Sequence, residues 1–279
     1  MGLNLVEEIQ RAISSRAQME ADLRRGLTNG EVHVFYQPKV NSLMGQVVGM
    51  EALARWIGAD GMISPDEFIP LAEESDLIDE LGSYVLHQAC EHSVGWLRKG
   101  FPELQTAVNL SVMQLANPSL PKEIESILHE TGMPARLLCL EITEGVMMID
   151  PDVTIEVLNE LKSLGCEIAA DDFGTGYSSL SYLQKFPIDI LKLDQSFVRN
   201  LTTDRETFII VSAVVRLAQT LGLKVVAEGV EEREDEKLLK KMACDEIQGY
   251  LYSRPVSADD FEAWLQSRLS VSRVLKAVG

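Results

Sequence analysis

Glu167–Phe173 reads EIAADDF, and Ile190–Gln195 reads ILKLDQ: two short apolar runs that both carry acidic side chains near their ends. Each run has the length of one buried strand, and the chain around them has the spacing of helices. Alternation of short apolar runs with helical stretches is typical of βα units. These two runs therefore predict neighbouring parallel strands of an α/β fold.

Six further runs extend the pattern in both directions. They are His33–Val40, Val47–Trp56, Thr106–Ser111, Leu137–Glu144, Lys224–Val230 and Glu246–Ser253. Eight runs match a (β/α)8 TIM-like barrel, and a chain of 279 residues fits one such barrel of about 250 residues with a short extension. The first two runs are joined only by NSLMGQ, which is too short for a crossover helix. We therefore expect a hairpin there, with the first strand antiparallel to its neighbours.

The chain divides into three parts. Residues 1–29 are expected to form an N-terminal helix or linker, because Leu5, Ile9, Ile13, Leu23 and Leu27 fall near one helical face. Residues 20–266 are assigned to the barrel, and residues 267–279 to a C-terminal tail. The N-terminal helix either packs on the barrel or serves as a signalling or dimerisation helix, and the sequence leaves both open.

Composition indicates a globular protein, with 46% hydrophobic and 24% charged residues. No apolar run approaches the ~18 residues of a membrane span, and the first residues lack the apolar core of a signal peptide. We therefore expect a cytoplasmic protein without a membrane span. The four cysteines are widely spaced singletons, which favours buried free thiols over disulfides or a zinc site.

The net charge of −18 argues against DNA, RNA or an anionic membrane as a partner, because those contacts depend on lysine and arginine. A small phosphate-bearing ligand remains compatible with this charge. Carboxylates gathered around bound cations can create a locally positive field in a strongly acidic molecule.

Polar side chains occur late in every apolar run. They are Gln37, Glu51, Asn109, Glu141, Asp171, Asp172, Lys192, Asp194, Glu228 and Gln248. In a barrel of this type the active site lies at the carboxyl ends of the strands, so these side chains are expected to converge. Carboxylates that crowd together cannot all stay ionised without cations.

The ligand types indicate Mg²⁺ or Mn²⁺, since carboxylate and amide oxygens are hard donors and the four histidines lie away from the strand ends. Asp171 and Asp172 are neighbours and would point to opposite faces of a strand. Both reach one centre only if the strand has ended there and is turning. A barrel glycosidase that uses Glu141 and Glu228 is an alternative, disfavoured by the aromatic content of 6%.

Glu51-Ala52-Leu53, within the sequence MEALARW, resembles the motif that names the EAL family of cyclic di-GMP phosphodiesterases. The resemblance continues through YQPKV, AVNLS, LEITE, ADDFGTGYSSL, LKLDQSFV, AEGVE and IQGYLYSRP. These motifs follow the family's order and spacing over roughly residues 20–266. The resemblance implies a barrel enzyme that hydrolyses cyclic di-GMP to linear 5′-pGpG.

The resemblance also implies roles for single residues. One divalent cation would be held by Glu51, Asn109, Glu141 and Asp171, and a second by Asp171 with Asp172. Lys192 would orient or activate the attacking water, assisted by Gln248 and with Glu228 nearby. We expect Ca²⁺ to inhibit, since its longer and more flexible coordination suits a tight two-metal site poorly.

Substrate contacts are implied for Gln37, Leu53, Arg55, Asp194, Glu231, Tyr250 and Pro255. Arg55 would grip a substrate phosphate, although a surface ion pair is an alternative for this residue. Glu144 resembles the residue that steadies the loop 172–179 (DFGTGYSS), a segment rich in glycine and small polar side chains.

The resemblance further implies a homodimer. Family members usually carry a regulatory domain, so an upstream domain outside this chain is also expected. The main alternative to an enzyme is a receptor that binds cyclic di-GMP without cleaving it and signals through residues 1–29.

Overall fold

The computed structural model describes residues 2–59, 61–145, 150–174 and 185–278. Eight of its strands form the closed barrel expected from the sequence. The strands are β1 (Val32–Asn41), β2 (Val47–Gly58), β3 (Gly61–Ile63), β4 (Gln105–Asn109), β5 (Leu138–Thr143), β6 (Glu167–Phe173), β7 (Ile190–Leu193), β8 (Lys224–Ala227) and β9 (Glu246–Gln248). The barrel order is β1-β9-β8-β7-β6-β5-β4-β2, closed by pairing of β1 with β2.

Strand direction is mixed, as the short first connection predicted. β1 runs antiparallel to both β2 and β9, and the remaining barrel neighbours pair in parallel. The sequence analysis did not predict β3, a short strand that extends β2 as an antiparallel hairpin outside the ring. Several apolar runs were also drawn too long. Glu144, Gln195 and Glu228 lie beyond the ends of their strands.

Helices surround the barrel. They are α1 (Gly2–Asn29), α2 (Pro65–Glu74), α3 (Ile78–Arg98), α4 (Val112–Leu115), α5 (Leu120–Thr131), α6 (Pro151–Leu164), α7 (Gln195–Val198), α8 (Arg205–Thr220), α9 (Arg233–Lys241) and α10 (Ala258–Val278). A turn of 3₁₀ helix, Ala135–Leu137, precedes β5. In the described part of the chain, none of these helices has both the length and the apolar character that a bilayer crossing requires.

The terminal helices belong to the outer layer of the barrel over part of their length. Leu23 and Leu27 of α1 are buried in the main hydrophobic core, next to Trp56 of β2. The side chains of Leu5, Ile9 and Ile13 lie outside the described residues. At the other end, α10 runs without a break across residue 266, and Phe261 and Leu265 bury it against the core.

The hydrophobic core of the described residues consists of two clusters that occupy different places in the barrel. A large cluster fills the space between strands and helices, while a small one lies inside the ring. The inner cluster consists of Ala107, Cys139, Ala169, Ile190 and Val226. These side chains fill the barrel interior and therefore form the floor of any site at the strand ends. All four cysteines are buried free thiols, as predicted.

Candidate active site

The strand periodicity places five polar side chains directly above the inner cluster. Alternate residues of a strand point to the same face. Counting two residues onward from each member of the inner cluster gives Asn109, Glu141, Asp171, Lys192 and Glu228. Five neighbouring strands therefore raise one ring of chemistry-bearing groups at their carboxyl ends. This is the convergence that the sequence predicted.

Lys192 lies at the centre of this ring and is only 1% exposed. Its Nζ contacts four carboxylates: Glu141 Oε2 at 2.6 Å, Glu228 Oε1 at 2.8 Å, Asp171 Oδ2 at 3.0 Å and Glu51 Oε2 at 3.7 Å. Burial alone would lower the pKa of Lys192, but these carboxylates raise it well above its usual value. Lys192 is therefore a fixed ammonium that donates hydrogen bonds.

A second buried ammonium, Lys39 of β1, was missed by the sequence analysis. Lys39 is 1% exposed, and its Nζ lies 3.3 Å from Glu141 Oε1, so the two lysines hold the two oxygens of one carboxylate. The signal was present in the sequence, because Lys39 follows Gln37 by two residues and shares its face of β1. The run was read as apolar, and the lysine within it was overlooked.

Lys39→Met is expected to lower the free energy of unfolding by about 3 kcal/mol, because the buried Oε1 of Glu141 loses its cationic partner while Lys192 continues to hold only Oε2. Urea unfolding measures this. Lys224 provides a matched control, since its Nζ also lies 3.3 Å from a glutamate but its side chain is 48% exposed. Lys224→Met should cost less than about 1 kcal/mol. Equal losses for both variants would refute a special role for Lys39.

Glu51 is held by amide side chains from two sides. Asn109 Nδ2 donates to Oε1 at 2.8 Å, and Gln248 Nε2 donates to Oε2 at 2.5 Å and to Gln37 Oε1 at 3.0 Å. Burial would raise the pKa of Glu51, but Lys192 and these hydrogen bonds outweigh it and hold the pKa below its usual value. The buried Oε1 of Gln248 accepts no hydrogen bond among the described residues.

Asp171, Asp172 and Glu228 form a group suited to a metal ion. Each offers a carboxylate oxygen, and these atoms lie within 4.8 Å of one another. The prediction that the strand has ended at this pair was wrong, because β6 continues to Phe173. The pairing of β6 with β7 shifts register between Ala170 and Phe173, and Asp172 has a φ of 54°. A bulge therefore turns both carboxylates toward one centre.

The charges of this group favour a cation. Burial raises the pKa of Glu141 to about 7 and that of Glu228 to about 8, although Lys192 opposes both shifts. Burial and the adjacent Asp171 likewise raise the pKa of Asp172. Carboxylates with raised pKa values are held together against their mutual repulsion, which a divalent cation would relieve. The donors are hard oxygens and fit such an ion.

An open cleft lies above these groups. Predicted site residues that line it are Gln37, Glu51, Leu53, Arg55, Asp171, Lys192, Glu228, Glu231, Gln248, Tyr250 and Pro255. Three further lining residues, Gln195, Gly229 and Gly249, were not predicted. The two glycines carry no side-chain chemistry that a sequence motif could reveal, and Gln195 was read as part of a strand.

Three predicted residues, Asp194, Asn109 and Arg55, lie around the centre of this arrangement. Asp194, predicted to contact substrate, is the N-cap of α7, and its Oδ1 accepts a hydrogen bond from the Ser196 backbone N–H at 2.9 Å. Asn109 is exposed at the end of β4, where its Nδ2 donates to Glu51 and the residue borders a neighbouring apolar pocket. Arg55 is half-buried at the cleft, and its Nη1 donates to the Ala54 carbonyl at 2.7 Å.

Glu144 contacts the start of the segment that it was expected to steady. Its Oε2 accepts a hydrogen bond from the Gly174 backbone N–H at 3.3 Å, and its own N–H donates to the Asp171 carbonyl at 3.3 Å. Glu144 therefore brackets Asp171 and Asp172 from the next strand. Residues 175–179 of the predicted loop lie outside the described residues.

Comparison with known proteins is consistent with this geometry. The sequence pattern of the EAL domain family matches residues 20–255. MucR of Pseudomonas aeruginosa, named a bifunctional diguanylate cyclase/cyclic di-GMP phosphodiesterase, is 40% identical over 247 residues. PdeR of Escherichia coli, named a cyclic di-GMP phosphodiesterase, is 37% identical over 263 residues. The solved PaMucR phosphodiesterase in complex with c-di-GMP is 40% identical with a TM-score of 0.84, covering 88% of this chain and 99% of that one.

Fold and site together define an α/β barrel whose polar centre lies at the carboxyl ends of its strands. Within that class, this chain belongs to the EAL domain family. The matches cover 88% of the chain but 36% of MucR, and 94% of the chain but 40% of PdeR. The chain therefore spans well under half the length of these relatives.

Proposed function

We propose that this protein hydrolyses cyclic di-GMP to linear 5′-pGpG and depends on divalent cations, Mg²⁺ or Mn²⁺. The observation that carries the proposal is the position of Lys192. Its ammonium contacts four carboxylates at the floor of the cleft, beside the Asp171–Asp172–Glu228 group. The names of MucR and PdeR, and the nucleotide in the PaMucR complex, support cyclic di-GMP as the substrate.

The residues proposed to hold the cations are Glu51, Asn109, Glu141, Asp171 and Asp172. Asn109 suits this role because its Nδ2 is engaged by Glu51, which leaves its Oδ1 as the donor atom. Bound cations would lower the pKa of a water molecule, so that it could lose a proton and attack the phosphodiester as hydroxide. They would also stabilise negative charge on the phosphate oxygens. Mg²⁺ and Mn²⁺ are favoured over zinc because the donors are oxygens.

The groups above the floor are proposed to hold the substrate. Arg55 is the cationic side chain of the cleft wall and suits a phosphate, with Leu53 beside it on β2. Gln37, Glu231, Tyr250 and Pro255 line the remaining walls. Asp194, at the N-cap of α7 and next to the cleft-lining Gln195, is also proposed to contact the substrate.

Lys192, Glu228 and Gln248 are proposed to serve the reaction itself. The ammonium of Lys192 orients the attacking water and offsets negative charge that grows on the phosphate. Glu228 lies 2.8 Å from Lys192 Nζ, and Gln248 of the adjacent strand β9 carries an Oε1 that has no hydrogen-bond partner among the described residues. One oxygen–phosphorus bond forms from water, the bond from phosphorus to one 3′ oxygen breaks, and that oxygen leaves as a hydroxyl. The sum is one water added per ring opened.

Chromatography of cyclic di-GMP after incubation with purified protein tests the proposal. We expect 5′-pGpG to form with Mg²⁺ or Mn²⁺, to stop forming with a strong chelator, and to form poorly with Ca²⁺. Bound but intact cyclic di-GMP would instead identify a receptor. Equal turnover in excess chelator would overturn the proposed cation dependence.

Glu144→Ala is expected to reduce turnover by about tenfold to a hundredfold, as removal of a residue that orients metal ligands typically does. The reason is that Gly174 loses its acceptor, so that the bulge carrying Asp171 and Asp172 is no longer bracketed. Steady-state turnover across a Mg²⁺ titration checks this. An unchanged rate together with an unchanged Mg²⁺ requirement would show that Glu144 is a solvated acid without influence on the site.

Other expectations from the sequence stay predictions. They are a homodimer, a cytoplasmic location and an upstream regulatory domain. Gel filtration of the purified chain addresses the first of these.

A further inference from the structure

One wall of the cleft is the segment 249–255, which follows β9. Tyr250 and Pro255 of this segment line the cleft. The segment returns to the barrel at Val256, whose backbone pairs with that of Tyr36 through two hydrogen bonds of 2.7 and 3.0 Å. Its far end is thus fixed to β1 directly after Pro255, while Tyr250 lies near its start, two residues before Tyr252.

The middle of the segment is tied to α9 through a buried charge. Tyr252 Oη donates to Glu236 Oε1 at 2.7 Å, and Lys240 Nζ donates to the same oxygen at 2.7 Å. Glu236 is 8% exposed, so its carboxylate lies largely away from bulk water, whereas the Lys240 side chain is 34% exposed. Hydrogen bonds to an ionised acceptor are roughly twice as strong as neutral ones, and screening is weak at a buried position.

The same helix adjoins the second cleft wall. α9 begins two residues after Glu231, which lines the cleft. Behind Glu231, Val230 packs so closely on Gly249 that a Cβ on that glycine would lie 2.1 Å from the Val230 carbonyl oxygen. The Leu251 N–H also donates to that carbonyl at 3.0 Å. The two walls therefore meet beside α9, and Glu236 links the segment 249–255 to this helix.

We propose that Tyr252, Glu236 and Lys240 act as positioning residues that set the placement of Tyr250 and Pro255 over the cleft and thereby the affinity for the cyclic dinucleotide. None of the three is among the described residues that line the cleft. They act through the segment 249–255 and leave the chemistry at Lys192 untouched. This inference rests on the proposed function of the cleft.

The geometry separates positioning from simple support of the fold. Tyr252 lies two residues from Tyr250, whose ring carries the Arg254 guanidinium at 4.1 Å from its centroid. A shift in the backbone at Tyr252 would move this stacked pair relative to the cleft. The ring of Tyr252 packs against the main core, so a variant that removes only its hydroxyl keeps that packing, and Val256 and β9 still hold the ends of the segment. Affinity should therefore respond more than stability or rate.

Tyr252→Phe is the decisive variant, because it removes one hydroxyl and keeps the ring. We expect KM for cyclic di-GMP to rise by about tenfold, which corresponds to one hydrogen bond to a charged group. The kcat should stay within about twofold, as for a change that removes binding common to ground and transition states. Glu236→Leu should give the same KM, and the double variant should be no worse than either single one.

Two controls make the result specific. Glu236→Gln keeps an acceptor for Tyr252 and should leave KM closer to wild type than Glu236→Leu does. Lys237→Ala removes an exposed ion pair with Glu234 on the same helix and should leave KM unchanged. Melting temperatures of Tyr252→Phe, Glu236→Gln and Lys237→Ala should stay close to that of wild type, so a loss of fold would be visible at once.

The outcome is separable from that of the proposed function. A KM for Tyr252→Phe equal to that of wild type would overturn the positioning role while leaving hydrolysis established. So would a kcat that falls by as large a factor as KM rises. If the wild type does not cleave cyclic di-GMP, the dissociation constant measured by calorimetry replaces KM and the same tenfold ratio is expected. Absence of both cleavage and binding in the wild type would overturn the proposed function, and the inference with it.

Discussion

Asp171→Asn is expected to reduce the proposed hydrolysis of cyclic di-GMP by about a hundredfold to a thousandfold, the effect of removing one electrostatic group from an active site. The substitution changes one oxygen to an amide nitrogen, so it keeps the volume and deletes a charge. Asp171 is a member of the three-carboxylate group and contacts Lys192 Nζ at 3.0 Å. Loss of its charge weakens both the proposed cation site and the placement of the ammonium. Initial rates at saturating Mg²⁺ measure the effect.

Asp189→Asn is the matched control for this prediction. Asp189 immediately precedes β7, and it pairs with Lys162 at 2.5 Å and with the Ile168 N–H at 2.9 Å. Its amide keeps an acceptor for Ile168 and lies at the opposite end of the strand from Lys192. Turnover of this variant should equal that of wild type. Normal turnover in Asp171→Asn would contradict the assigned site.

Lys192→Met is expected to lower kcat for the proposed reaction by about a hundredfold to a thousandfold, with little change in affinity for cyclic di-GMP. The ammonium contributes most where charge grows on the phosphate, which occurs in the transition state. Methionine fills similar space inside the ring, but it leaves the four carboxylates without their shared cation. The melting temperature of the variant should be measured in Mg²⁺ beside the kinetics, because it distinguishes a folding defect from a catalytic one.

Arg55→Ala provides the contrast, because Arg55 lines the cleft but is not among the residues that contact Lys192 Nζ. Its removal should weaken affinity more than rate, the reverse of Lys192→Met. Identical kinetic profiles for the two variants would mean that the proposed division between binding and chemistry is wrong.

The barrel could be predicted because its signal is local. Each strand is a short apolar run, and the loop NSLMGQ is too short for anything but a hairpin, which set the direction of β1. The ring of site residues followed from the same periodicity, since inward positions two residues apart carry first a small apolar and then a polar side chain. The last residue of each strand was harder to predict, because no change in residue type marks the last backbone hydrogen bond between neighbouring strands.

Features that depend on non-local geometry were missed. The bulge at Asp172 arises from the pairing of β6 with β7, and no residue type in ADDF requires a left-handed aspartate. Lys39 shares Glu141 with Lys192 across the barrel, a pairing between residues far apart in sequence. β3 is three residues long and carries no periodicity of its own. Such contacts exist only once the ring has closed.

Hydrolysis in water enriched in oxygen-18 tests the central claim most directly. Water attack at phosphorus, directed by the residues around Lys192, predicts one labelled oxygen on the terminal phosphate of 5′-pGpG and none on its ribose hydroxyls. The labelled product should require Mg²⁺ or Mn²⁺ and should be lost together with turnover in Asp171→Asn. Cyclic di-GMP that stays intact, or label that appears in a ribose hydroxyl, would contradict the account.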